Sequence, residues 1–125
     1  GKWNGFGGEV HDGEAVISAA IREVREEVGM EVGESQLQKV GQILFRFGGQ
    51  PKLTAHVFLA GGWRGEPIES EEMKPRWFER SEIPFDQMWL ADREWLPLVL
   101  AGKRISAEVS YAADGESLEG VAFSA

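Results

Sequence analysis

The stretch Gly8 to Met30, GEVHDGEAVISAAIREVREEVGM, constrains the fold of this chain more than any other. Ile17, Ile21, Val24 and Val28 recur at steps of four, three and four residues. On a helical wheel they fall within ~60° of one another. Glu23, Glu26 and Glu27 cluster on a different arc of roughly 100°. The spacing predicts one amphipathic helix, greasy on one side and triply acidic on another. Like charges three and four residues apart destabilise a helix by about 0.2–0.5 kcal/mol per pair. Arg22 and Arg25 offset part of this, and divalent cations with a taste for hard oxygen ligands offset it better. Glu14 stands near the expected helix start, where the dipole favours an anion. Gly29 stands just past its end, where a left-handed stop is cheap.

The fixed positions within this stretch are Gly8, Glu14, Arg22-Glu23-Val24, Glu26-Glu27 and Gly29-Met30. In identity and spacing they resemble the Nudix box, with each fixed position filled. A solvated charge run is the bland reading of any acidic helix, and a pattern this long and this fixed outweighs it. The resemblance implies an α/β (α+β) fold, an α/β/α sandwich around a mixed β-sheet. It also implies one domain over residues 1–125, preceded by an N-terminal strand or two upstream of Gly1.

The remaining sequence is consistent with that fold. Residues 1–8, GKWNGFGG, are half glycine, which lets backbone approach a metal or phosphate closely. KVGQILFRF, Lys39 to Phe47, reads as a strand, with Phe45 and Phe47 on one face. Gly48, Gly49 and Pro51 punctuate a hairpin. Leu53 to Ala60 is apolar almost throughout and reads as a central strand, with His56 as a hydrogen-bonded core residue rather than a ligand. A connection is expected from Val32 to Leu37, and a short strand around Arg76 to Glu79. A second helix is expected between Asp86 and Gly102, interrupted or bent by Pro97. Ile105, Ala107, Val109 and Tyr111 alternate before a turn at Asp114-Gly115, which predicts a C-terminal hairpin.

Composition limits the partners. The net charge of −8 argues against tracking a nucleic-acid backbone. A small phosphorylated substrate fits if metal ions supply the positive charge. There is no apolar run of about twenty residues to span a membrane. The absence of cysteine and of a secretory signal in residues 1–125 fits a cytoplasmic setting. Oligomeric state is not legible.

The resemblance then assigns roles. Glu23, Glu26 and Glu27 look like the carboxylates that bind Mg2+ or Mn2+ and provide the base; which one is the base stays open. The Gly7 carbonyl and Glu72 look like further metal ligands. Arg22 looks like the residue that orients a glutamate through its planar fork. Beyond the box, WNGFGG, VGQILFRF, HVF, ESEEMKPRWF and IPFDQMW with a later WLPL resemble the animal-type oxidised-purine nucleoside triphosphatases of the MutT class. That likeness implies a base-edge reader at Asn4 and pocket walls at Phe45, Phe47, Met73 and Trp89. Two adjacent acids follow the tryptophan in those relatives; here Ala91 replaces the first and Asp92 keeps the second. Thr54 stands where the relatives have a pocket methionine. The implied activity is hydrolysis of a nucleoside triphosphate, such as 8-oxo-dGTP, to monophosphate and pyrophosphate. Alternatives are a nucleoside diphosphate derivative such as ADP-ribose as substrate, or a non-catalytic nucleotide-sensing module.

Overall fold

The computed structural model describes residues 2–5, 10–69 and 74–124. The chain divides into two compact units. One comprises Gly1–Asn4, Lys39–Val57 and Ile83–Ala125, the other Gly5–Gln38 and Phe58–Glu82. The elements in order are helix α1 (Val16–Val28), strands β1 (Leu37–Phe47) and β2 (Gln50–Ala60), helix α2 (Asp92–Leu100), and strands β3 (Ile105–Tyr111) and β4 (Leu118–Phe123). Single 3-10 turns lie at Glu34–Gln36, Arg80–Glu82 and Phe85–Gln87. No described helix is long and apolar enough to cross a membrane.

The first unit is built on a four-stranded mixed sheet of order β2-β1-β3-β4. β1 and β2 are joined by Gly48 and Gly49, whose φ angles of 59° and 80° are the left-handed values a two-residue hairpin turn demands. β1 pairs in parallel with β3, and β3 pairs antiparallel with β4. The parallel register sets Ile43 beside Ala107, Phe45 beside Val109 and Phe47 beside Tyr111. The period of two therefore places β1's apolar residues and β3's alternating ones on one face. Ile43, Ala107, Val109 and Tyr111 are buried there with Ala91, and Phe45, Phe47 and Trp95 pack against them. Burying Ile43 and Val109 contributes about 1.5–3 kcal/mol each.

In the second unit, α1 runs to Gly29, which takes φ 74° and donates its N–H to the Arg25 carbonyl at 3.0 Å. That is the expected left-handed stop. Ala19 and Val28 are its buried residues, and Met30 and Val32 continue the buried run. Val28 accepts the Ile68 N–H, and Glu31 and Arg64 exchange backbone hydrogen bonds. These bonds tie residues 64–68 to the end of the helix.

Several expectations need correction. Among the described residues β2 lies at the edge of the sheet, with Leu53 and Leu59 exposed; an apolar run resembles a central strand whichever place it takes, because the run carries no record of its neighbours. Residues 76–79 form no strand, and the segment goes directly into the turn at Arg80–Glu82. The second helix is shorter than 86–102, because the turn at Phe85–Gln87 and an irregular passage precede α2. Pro97 lies inside α2, where it lacks the N–H for one helical bond. Glu14, by contrast, lies near the helix start as expected, just before the Ala15 cap of α1. The connection from Val32 is also shorter than expected, since β1 starts at Leu37.

Candidate active site

The acidic arc of α1 is organised by one arginine. Arg22 donates through Nε to Glu14 Oε2 at 2.8 Å and through Nη2 to Glu14 Oε1 at 3.0 Å, a paired fork. Its Nη1 reaches Glu23 Oε1 at 2.8 Å and Glu26 Oε2 at 3.1 Å. Spacing of four residues along the helix brings Glu26 to the guanidinium, adjacent Glu23 reaches the same Nη1, and Glu14 folds back from the loop. Glu14 is fixed from the other side too, because Oε1 accepts the His11 backbone N–H at 3.0 Å. The two bonds, Arg22 first, hold the Glu14 carboxyl at about 2. The same pairing pushes the Arg22 guanidinium further up, chiefly through Glu14.

Glu14 thus contributes stability that is complete above its ordinary value of 4.5 and is lost as pH falls towards about 2. Glu14→Gln is expected to lower the melting temperature at neutral pH and to abolish most of the difference from the parent by pH 2. Thermal melts from pH 2 to 7 check this; profiles that stay parallel throughout would refute it.

Arg22 leaves the acids unequally available. The Glu26 side chain is 59% exposed and the Glu23 side chain 15%. Glu27 is half-buried and engaged in contacts of its own, while its Oε2 is buried without accepting a hydrogen bond. These carboxylate oxygens are the hard donors that suit magnesium or manganese. Among the described residues no three acidic, histidine or cysteine groups are gathered closely enough to enclose an ion. Gly7, Glu72 and Met73 lie outside the described residues. A groove of about 470 Å³, lined by Ile21, Arg25, Val32 and Arg64 among others, includes none of the three box glutamates.

The expected substrate residues that are described belong to the sheet unit. Phe45 and Phe47 are half-buried on β1 and pack against the core cluster. Phe47 stacks on Tyr111, with ring centroids 5.5 Å apart and planes 15° apart. Trp89 meets the same tyrosine edge-on, at 6.1 Å and 69°. Lys2 Nζ lies 5.4 Å from the Trp89 ring centroid, a cation–π contact. Asn4 is exposed, next to Trp3, whose N–H donates to the Gln87 carbonyl at 2.9 Å.

Asp92 is buried at the start of α2, 5% exposed. Its Oδ1 accepts the Trp95 indole N–H at 3.1 Å, and its Oδ2 is buried with no hydrogen bond. Burial pushes this carboxyl up, and the bonds from Trp95 and the Trp89 backbone offset only part of that. His56, by contrast, is half-buried with an unbonded buried Nδ1, so the hydrogen-bonded core role expected for it is not met at that atom. Desolvation and the Lys39 charge depress its pKa.

Sequence reasoning did not pick out Tyr111 or Trp95 as parts of this group. Tyr111 was visible only as the last residue of an alternating strand, and Trp95 only as a helical apolar position. The cue for Trp95 was its spacing, three residues after Asp92, which puts both on one side of a helix.

The chain matches the NUDIX domain model over residues 1–99. It is 50% identical over 105 residues to the oxidized purine nucleoside triphosphate hydrolase of Danio rerio, covering 83% of this chain and 66% of that protein. It is 45% identical over 112 residues to the Mus musculus protein of the same name, covering 89% and 70%. The chain therefore spans about two thirds of the length of these curated relatives. The crystal structure of a MutT protein from Bacillus halodurans superposes with a TM-score of 0.86 at 23% identity, covering 98% of this chain and 82% of that one. The mixed four-stranded sheet with two helices is thus the α+β fold expected from the sequence. This chain belongs to the Nudix family.

Proposed function

We propose that this chain hydrolyses oxidised purine nucleoside triphosphates to the monophosphate and pyrophosphate, using Mg2+ or Mn2+. The observation that carries the reading is the intact acidic arc, Glu23, Glu26 and Glu27 on one helix with Arg22 gripping two of them, in a chain 45% and 50% identical to two relatives named for that activity. Glu23, Glu26 and Glu27, with the Gly7 carbonyl and Glu72, would hold the cation. Bound there, it neutralises phosphate oxygens and lowers the pKa of water. The chain's own residues supply the rest. Arg22 keeps Glu23 and Glu26 from splaying apart under mutual repulsion. A box glutamate accepts the proton of the attacking water. Asn4, with both a donor and an acceptor, reads the base edge, Trp89, Phe45 and Phe47 wall the base, and the Asp92 carboxyl offers it one hydrogen bond.

The test is a steady-state comparison of 8-oxo-dGTP, dGTP and ADP-ribose with millimolar magnesium. Pyrophosphate release is expected, abolished by a chelator, with kcat/KM highest for 8-oxo-dGTP. Absence of hydrolysis with either magnesium or manganese would sink the proposal. ADP-ribose as the best substrate would keep the chemistry and replace the substrate, an outcome that Ala91 in place of an acid makes worth measuring.

A further inference from the structure

Tyr111 is one of the most completely buried side chains of the molecule, 1% exposed, yet it carries a hydroxyl. That hydroxyl oxygen accepts the Ala91 N–H at 3.1 Å. Ala91 is the residue before α2 and is fully buried, and the helix start has no side-chain cap. A phenol from β3, twenty residues away in sequence, therefore satisfies an amide at the mouth of α2. The same ring stacks on Phe47 and receives the edge of Trp89. Asp92 follows Ala91 directly, and its Oδ2 is a buried polar atom with no hydrogen bond, a group that calls for a partner. One side chain thus touches two proposed pocket walls and the backbone that carries the proposed base-reading acid.

We propose that Tyr111 is a positioning residue for base recognition, its ring setting Phe47 and Trp89 and its hydroxyl fixing the Ala91-Asp92 backbone so that the Asp92 carboxyl meets the base at one place. This rests on the reading of Asp92, Phe47 and Trp89 as the base pocket. A phenylalanine would supply the stack but not the bond, and the lost bond would fall on the residue adjoining Asp92. Where two neighbouring acids would brace one another, a single acid depends on its backbone for aim, and Tyr111 supplies that constraint. Burial also pushes the phenol up, so the hydroxyl stays protonated at neutral pH and has a hydrogen of its own to direct.

Tyr111→Phe separates these roles. The expected result is a KM for 8-oxo-dGTP raised about 5- to 10-fold with kcat within about twofold of the parent, a split a generally loosened protein would not give. The ratio of kcat/KM for 8-oxo-dGTP over dGTP should fall by a similar factor. A second readout is independent of turnover: the Trp95 indole N–H resonance, assigned with Trp95→Phe, reports Asp92 ionisation through their hydrogen bond. Its pH midpoint should move in Tyr111→Phe. Unchanged KM, unchanged selectivity and an unmoved midpoint would reduce Tyr111 to ordinary core. If the parent hydrolyses no nucleotide, the proposed function fails, and the Trp95 titration alone decides whether Tyr111 positions Asp92. Should Tyr111→Phe not fold, hydrogen exchange of the Ala91 amide in the parent decides: protection supports the bond, and rapid exchange overturns it.

Discussion

Glu27→Gln is expected to lower kcat by about 10²–10⁴-fold, the range for loss of a general base, with little change in secondary structure. Glutamine keeps the size and one carbonyl oxygen of the residue but loses its charge and its basicity. The site makes that loss specific. Arg22 binds Glu23 and Glu26, so their charge is partly spent on holding one another in place. Glu27 is half-buried with one carboxylate oxygen shielded from solvent, an environment that keeps competing water away from it. Turnover at saturating magnesium and Mn2+ affinity by electron paramagnetic resonance should be measured on the same variant. Lost turnover with retained Mn2+ affinity marks Glu27 as the base, whereas joint loss marks it as a ligand. Turnover equal to the parent would remove Glu27 from the mechanism.

The acidic arc was legible because its parts are local. Glu23, Glu26 and Glu27 are within five residues of one another, and a helix converts that spacing into a surface without help from the rest of the chain. Gly29 and the Gly48-Gly49 pair were legible for the same reason, since each needs only its own backbone angle. The Arg22 clamp was half visible. Its bond to Glu26 follows from the i, i+4 helical spacing, whereas the fork onto Glu14 depends on a loop that folds back before α1. What stayed hidden needed partners distant in sequence. Phe47 meets Tyr111 only because β1 and β3 are parallel in one register, and no local pattern encodes that register. β2 was misplaced for a related reason: hydrophobicity tells how apolar a strand is, whereas edge or centre is a property of the whole sheet. At residues 76–79 an aromatic-rich run suggested a strand, yet Trp77 instead stacks on Trp63 at 5.4 Å and Arg76 lies over the Phe78 ring. Side-chain contacts there replace the ladder bonds that the composition suggested.

Asp92→Asn is expected to stabilise the protein at neutral pH while weakening base recognition. The sign follows from burial. The Asp92 carboxyl has a folded-state pKa above its ordinary 3.8, so folding favours its protonated form. Its contribution is most favourable below that ordinary value and is lost as pH rises through the raised one. Asparagine resembles the protonated acid in shape and charge and does not titrate. The melting temperatures of parent and variant should be similar near pH 4, and the variant's advantage should widen as pH rises until Asp92 is fully ionised. The Trp95 indole bond is retained, because the amide oxygen can take the place of Oδ1. Recognition moves the other way. A carboxyl can present either a donor or an acceptor at its free oxygen, whereas a fixed amide presents one pattern, so kcat/KM for the preferred oxidised purine should fall about 10- to 100-fold, the discrimination a mismatched buried polar contact commands. Ala91 offers no second acid to compensate. A melting-temperature difference that does not depend on pH would show that Asp92 titrates as an exposed acid does. Retained kcat/KM would remove it from the pocket. The buried acid is therefore a place where this chain gives up stability at neutral pH, and selectivity for a modified base is the return that the two measurements together would establish.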